Sequence, residues 1–307
     1  MTTLPSSTST GTNTDIRYRV RHETTYDYRR NVTLSQQILH MTPRSFDHQT
    51  VVSHQLAIEP NPPDWSTHAD YFGNASKSFT LASPHRRLLI RSDSIIELHR
   101  RPNATVTANS LPWESQRYQL ANPLDNNLLA EVAFLYDSPH VECSTALRDY
   151  ALPLFSHGRP LLDACMALTE HIFNDFEFDP EATTISTPLT EVLEGRRGVC
   201  QDFAHLMIGC LRSLGLSCRY VSGYILTTPP PGEERLIGAD ASHAWVSVYC
   251  NGLGWIDYDP TNRCLVQNEH VTVGWGRDYG DVSPIRGLVL GGGGQKLKVA
   301  VTMEPIT

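Results

Sequence analysis

Polar and apolar positions alternate through the first third of the chain. Tyr18, Val20 and His22 alternate with Arg17, Arg19 and Arg21, and Val52, His54, Leu56 and Ile58 interleave with Val51, Ser53, Gln55, Ala57 and Glu59. A period of two belongs to a strand with one buried face. Phe79-Thr80-Leu81, Leu88-Leu89-Ile90 and Ile95-Ile96-Glu97-Leu98 are short apolar runs. Pro60-Asn61-Pro62-Pro63, Gly73-Asn74 and Ser83-Pro84 break the chain between them. Short strands at this spacing predict an antiparallel β-sandwich over residues 16–105. Ahead of it, residues 1–15 are rich in Ser and Thr and too poor in apolar side chains to order themselves, which predicts a disordered tail.

The period then lengthens to that of a helix. Residues 106–160 read as a helical connector punctuated by Pro123, Pro139 and Pro153, with Leu128, Val132 and Leu135 on one face. Leu161, Leu162, Cys165, Leu168, Ile172 and Phe173 step by three and four, an amphipathic helix that opens a second domain over residues 161–307, the C-terminal strands included. A second stripe, Phe203, Leu206, Met207, Cys210, Leu211 and Leu214, ends at Gly215, a residue suited to a left-handed stop. Cys218 to Leu226 reads as a strand and Pro229-Pro230-Pro231-Gly232 as a loop. Ser242 to Tyr249 and Trp255 to Asn262 then form a hairpin around Asn251-Gly252-Leu253-Gly254.

Three residues on these elements have chemical potential. Cys200 falls in the first turn of its helix, behind Gly198, where free N–H groups and the positive helix end favour an anionic sulfur and offer donors to an oxyanion. Cys165 and Cys210 lie instead on apolar faces and read as small core residues. His243 starts one hairpin strand and Asp259 ends its partner, so both stand at one end of the hairpin. A two-residue Asn251-Gly252 turn sets Pro260 opposite His243 and turns Asp259 to the other face. A three-residue loop or a bulge sets Asp259 opposite Trp245, diagonal to His243 on the same face, and the glycine-rich turn predicts that register. Taken singly, a strand histidine and an aspartate before proline have ordinary structural readings. Together they supply a nucleophile, a base and a group that orients the base. His205, five residues along the helix from Cys200, points elsewhere and reads as packing.

Composition narrows the classes. The 307 residues are 40% hydrophobic and 19% charged, and 25 Lys+Arg against 33 Asp+Glu leave a net charge of −8. An acidic chain lacks the basic face that nucleic acid or an anionic membrane surface selects, so neither is expected as a partner. No apolar run reaches the length of a membrane helix and the N-terminus has no secretory pattern. With an odd count of seven cysteines, a soluble, reduced, cytoplasmic protein is expected.

The motifs Arg197-Gly198-Val199-Cys200-Gln201-Asp202-Phe203-Ala204-His205, Cys218 to Tyr224, Ser242-His243-Ala244-Trp245-Val246 and Trp255 to Asn262 resemble those of the transglutaminase-like superfamily, papain-related enzymes with a Cys–His–Asp triad. Tyr18 to Arg44 and Tyr71-Phe72-Gly73-Asn74 resemble the N-terminal region of its bacterial members, and Gly276 to Pro284 the tail. The resemblance implies an α+β architecture, a papain-like catalytic domain behind the N-terminal β-sandwich. It implies Cys200 as nucleophile, His243 as general acid/base and Asp259 as orienting carboxylate, with Asp257 a weaker alternative. The implied reaction is attack on an amide or peptide carbonyl of a protein or peptide substrate through a thioester. Hydrolysis is the reading the architecture favours, and transfer to an amine uses the same residues. A non-catalytic binding protein is the competing class. Arg277, Asp278 and Asp281 read equally as cleft-lining residues or as surface ion pairs. No Cys-x-x-Cys, His-Glu-x-x-His or EF-hand-like loop occurs, so no metal or cofactor is expected.

Overall fold

A computed structural model describes residues 15–101, 110–123, 128–227 and 241–306. The expected tail up to residue 14 and the loop at Pro229 to Gly232 lie outside the described residues.

The N-terminal half is organised around one long strand, β1 (Ile16–Leu39). Its alternation places Tyr18, Val20 and His22 inside and Arg17, Arg19 and Arg21 outside. β2 (Gln49–Glu59), β3 (Trp65–Ala69), β4 (Ala75–Leu81) and β5 (His85–Leu98) complete the order β2-β5-β1-β4-β3. The runs at Leu88 and Ile95, read as separate strands, are one strand of 14 residues. β5 pairs with the first half of β1 and β4 with the second half. In place of the two layers of the expected sandwich, these strands form one continuous antiparallel sheet that curls around a core including Val32, Leu39, Ile58, Phe79, Leu81 and Leu88.

The second half holds α1 (Trp113–Ala121), α2 (Leu129–Val132), α3 (Thr145–Ala151), α4 (Leu161–Asp175), β6 (Glu177–Phe178), α5 (Leu189–Gly195), β7 (Arg197–Gly198) and α6 (Cys200–Ser213). After these come β8 (Cys218–Ile225), β9 (Ala241–Cys250), β10 (Gly254–Asp259), β11 (Cys264–Leu265), β12 (His270–Gly276) and α7 (Tyr279–Val282). The antiparallel sheet has the order β11-β10-β9-β8-β12. The predicted stripe of α6 is buried from Phe203 to Leu214. Gly215, at φ 79°, closes it: Gly215 N–H donates to Arg212 O at 2.8 Å and Leu216 N–H to Leu211 O at 3.0 Å, the paired bonds that satisfy the last carbonyls of a helix.

Two boundaries differ from expectation. Trp113, Leu147, Ala151 and Phe155 share one core with α4 and α6, so the supposed connector is part of the C-terminal unit. Within it, Leu128, Val132 and Leu135 are only half-buried and Phe134 takes the inward position, because the chain there is a short helix continued by a 3-10 turn. Phe173, expected on the buried stripe of α4, is exposed. The C-terminal strands β13 (Ile285–Gly291) and β14 (Gln295–Ile306), expected in the catalytic domain, run antiparallel along the free side of β1. A central strand of 24 residues needs backbone partners on both sides, and these two strands meet that need. Tyr18, Val20, Ile96 and Leu98 of the N-terminal sheet pack with Tyr224, Val271 and Val273 of the second sheet, which joins the two halves.

Candidate active site

Cys200 begins α6 and is half-buried. The turn that presents it is tight: the Asp202 carboxylate accepts the Val199 N–H at 2.8 Å and the Thr183 hydroxyl at 2.6 Å. A Cβ at position 198 would stand 2.7 Å from Asp202 Oδ2, which is why this turn requires glycine. The thiol therefore sits where the helix N–H groups converge.

The hairpin adopts the register with a three-residue loop. Trp255 lies opposite Tyr249 and Tyr258 opposite Val246, so continuation of the ladder sets Asp259 across from Trp245 and diagonal to His243. Gly252 and Gly254, at φ 86° and 79°, make the turn possible. His243 Nε2 donates to Asp259 Oδ2 at 2.7 Å. The Cys200 thiol also helps to raise the pKa of this imidazole, and with Nε2 committed to Asp259, Nδ1 is the nitrogen left for proton exchange with sulfur.

Asp259 is completely buried and fully bonded. Its Oδ1 accepts the N–H groups of Thr261 and Asn262 at 2.9 and 3.2 Å, and its Oδ2 also accepts Asn262 Nδ2 at 2.7 Å and His270 Nε2 at 3.0 Å. Burial alone would favour the neutral acid, but His243 and His270 outweigh it and hold the carboxyl well below the usual carboxylate range. Burial likewise opposes charge on His243. The Asp259 charge and hydrogen bond prevail, with a further contribution from Cys200, and the imidazole pKa is pushed up to about 10.

Residues 18–97 match the bacterial transglutaminase-like N-terminal region, and residues 148–260 match the transglutaminase-like superfamily. An uncharacterized protein of Mycobacterium tuberculosis is 44% identical over 279 residues, covering 89% of this chain and 87% of its own. The chain belongs to the transglutaminase-like superfamily. A protein-glutamine gamma-glutamyltransferase of Pseudomonas aeruginosa is 29% identical over 140 residues, 39% of this chain and 21% of that one. The fold matches that of a proposed cysteine protease from Cytophaga hutchinsonii with a TM-score of 0.75 at 19% identity, over 96% of this chain and 92% of that one.

In this transglutaminase-like chain the other candidate residues separate clearly. Asp257 does not reach His243. It accepts Arg101 Nη1 at 2.6 Å and Trp245 Nε1 at 3.2 Å. Arg277 makes a bidentate ion pair with Asp281, through Nε at 2.9 Å and Nη2 at 3.0 Å. Both line a cavity of about 660 Å³ shared with His40 and Tyr71 from the N-terminal half and with Tyr136, which follows the 3-10 turn. Asp278 is buried and accepts the N–H groups of His140 and Gly280, so it caps a turn. His205 accepts the Tyr279 N–H at 3.1 Å and stacks on His140, and burial pushes its pKa down to about 3.

Sequence reasoning missed His270. It lies 11 residues beyond Asp259 on a strand at the far edge of the sheet, and no local spacing connects the two. Among the described residues, His243, Asp259 and His270 also offer three ligand atoms within 4.8 Å of one another. Both nitrogens, however, already donate to a single oxygen, so the group is a hydrogen-bonded cluster, and a metal would have to displace both protons.

Proposed function

We propose that this protein is a thiol enzyme in which Cys200, His243 and Asp259 hydrolyse an amide or peptide bond. The observation that carries the reading is the His243 imidazole, bonded at 2.7 Å to a buried, ionised Asp259 and near enough to Cys200 for the thiol to raise its pKa. In the reaction His243 takes up the thiol proton, so that sulfur attacks as the thiolate. Cys200 Sγ attacks the carbonyl carbon, and main-chain N–H groups at the start of α6 steady the oxyanion. When the intermediate collapses, the C–N bond breaks and the leaving amine takes the proton from His243. His243 then removes a proton from water, which attacks the thioester, and the acid leaves as the thiolate reforms. Asp259, with both oxygens already bonded, stays ionised and holds the ring.

The test begins without a substrate. The iodoacetamide alkylation rate of Cys200 is followed against pH by site-resolved mass spectrometry in wild type and His243→Ala. A fast rate at pH 6 that collapses in the variant is expected. A profile that titrates near the free-thiol value of about 8.5 in both proteins rejects the enzyme and leaves a binding protein.

The similarity to a protein-glutamine gamma-glutamyltransferase favours a second reading, transfer of the acyl group to an amine by the same residues. Peptide pools incubated with and without a primary amine separate the two. Free acid in both incubations supports hydrolysis, and an amine adduct supports transfer.

A further inference from the structure

His270 is 2% exposed and begins β12, where it pairs with Ile225 of β8. Its ring stands edge-on to Trp245, centroids 5.2 Å apart, and lies 5.9 Å from the His243 ring. An ionised carboxylate can only accept, so the His270 proton is on Nε2, which donates to Asp259 Oδ2 at 3.0 Å. Burial favours the neutral ring. Its Nδ1 is buried and has no hydrogen-bond partner among the described residues. An apolar ring would fill the same volume without that unmet polar atom, so packing alone does not account for a histidine here. What a phenyl ring would lack is the N–H aimed at Oδ2.

That oxygen is the hinge of the site. Asn262 Nδ2, His243 Nε2 and His270 Nε2 converge on it from three elements: the turn after β10, the start of β9 and the start of β12. Asn262 is in the turn that follows Asp259 itself, and His243 is the group to be held. His270 is the donor that comes from the opposite edge of the sheet. We propose that His270 is a positioning residue, a neutral imidazole whose Nε2–H fixes Asp259 Oδ2 so that His243 stays turned toward Cys200. It touches neither substrate nor sulfur, and acts only through Asp259. This rests on the thiol-enzyme reading for its consequence, but the geometry it asserts can be read independently.

Two variants separate the N–H from the ring. His270→Phe keeps an aromatic ring against Trp245 and loses the donor. His270→Gln loses the ring and keeps an N–H able to reach the carboxylate. In ¹⁵N-histidine-labelled protein, the downfield Nε2–H resonance of His243 is expected in wild type, lost in folded His270→Phe and present in His270→Gln. Cys200 alkylation at pH 6 is expected to fall about tenfold in His270→Phe, by analogy with loss of the partners that hold metal-ligating histidines, and to return to within about threefold of wild type in His270→Gln. A His270→Phe protein with the resonance and rate of wild type, or a folded His270→Gln that loses both, overturns the proposal. If wild type and His243→Ala alkylate at the same rate, the enzyme reading fails, and the resonance in the two variants still decides whether His270 positions His243.

Discussion

The two faces of the sheet β11-β10-β9-β8-β12 are built on different physics. Toward α4 and α6, β8 and β9 present Cys218, Tyr220, Ala244, Val246 and Val248, which lie in one continuous apolar core. Toward the N-terminal sheet, the alternate positions are Arg219, His243, Trp245 and Ser247, with Asp257, Asp259 and Thr272 beside them. Here the partners are directional. Arg101 pairs with Asp257, the Gln49 amide exchanges two hydrogen bonds with the Thr272 backbone, and the Arg219 guanidinium lies between Trp255 and Trp275 at 4.1 and 3.7 Å. Dispersion fills volume but does not fix the torsion of a carboxylate, whereas convergent hydrogen bonds do. That is why the group that orients His243 lies on the polar face. The thiol comes from the helix side, and the two sides meet at His243.

The largest expected effect comes from removing half of the buried pair on the polar face. Asp257→Ala leaves Arg101 buried without its partner and is expected to cost about 3–5 kcal/mol, measured by urea denaturation. The double change Arg101→Met with Asp257→Leu should recover most of that loss. If the single variant is no less stable than wild type, the contrast between the faces is wrong. On the apolar face, Leu206→Ala removes a fully buried side chain from α6 and is expected to cost about 3 kcal/mol. Its Cys200 alkylation profile should not change, because nothing directional is lost.

Two histidines, one on each face, differ in the sign of their pH dependence. Buried His205, on the helix side, has a folded pKa of about 3, below its unfolded value of 6.5. As pH falls below 6.5 the unfolded chain alone takes the proton, and about 3 kcal/mol is lost by pH 4. His205→Gln, which keeps an acceptor for the Tyr279 N–H, should flatten that acid limb. His243 has the opposite sign. Its folded pKa of about 10 lies above 6.5, so its contribution is complete below 6.5 and is lost as pH rises to 10. His243→Gln should therefore flatten the alkaline limb. The smallest effect is at the helix start, where Asp202→Ala removes the acceptor of the Val199 N–H and should cost about 1 kcal/mol in the same denaturation assay.

The readable part of the molecule was local. The stripe from Phe203 to Leu214, the stop at Gly215 and the three-residue hairpin loop follow from spacing and turn chemistry, and the loop alone decided that Asp259 shares a face with His243. The partnership of β13 and β14 with β1 was not readable, because an alternating strand fits the free side of either sheet. Phe134 took the place expected for Leu128, Val132 and Leu135, since a short helix and a 3-10 turn do not keep one period. His270 and Arg101 carried no local signal at all.

By itself, then, the sequence determined the elements and the helix-borne thiol, along with a hairpin whose end holds a histidine and a carboxylate. Those are consequences of periodicity, glycine positions and loop length, which act over a few residues. Only the tertiary structure decided which strands enclose β1, that Asp257 belongs to Arg101, and that two histidines share one oxygen of Asp259. These depend on contacts between residues far apart in the chain, where burial makes each unpaired polar group costly and so selects its partner from whatever the fold brings near.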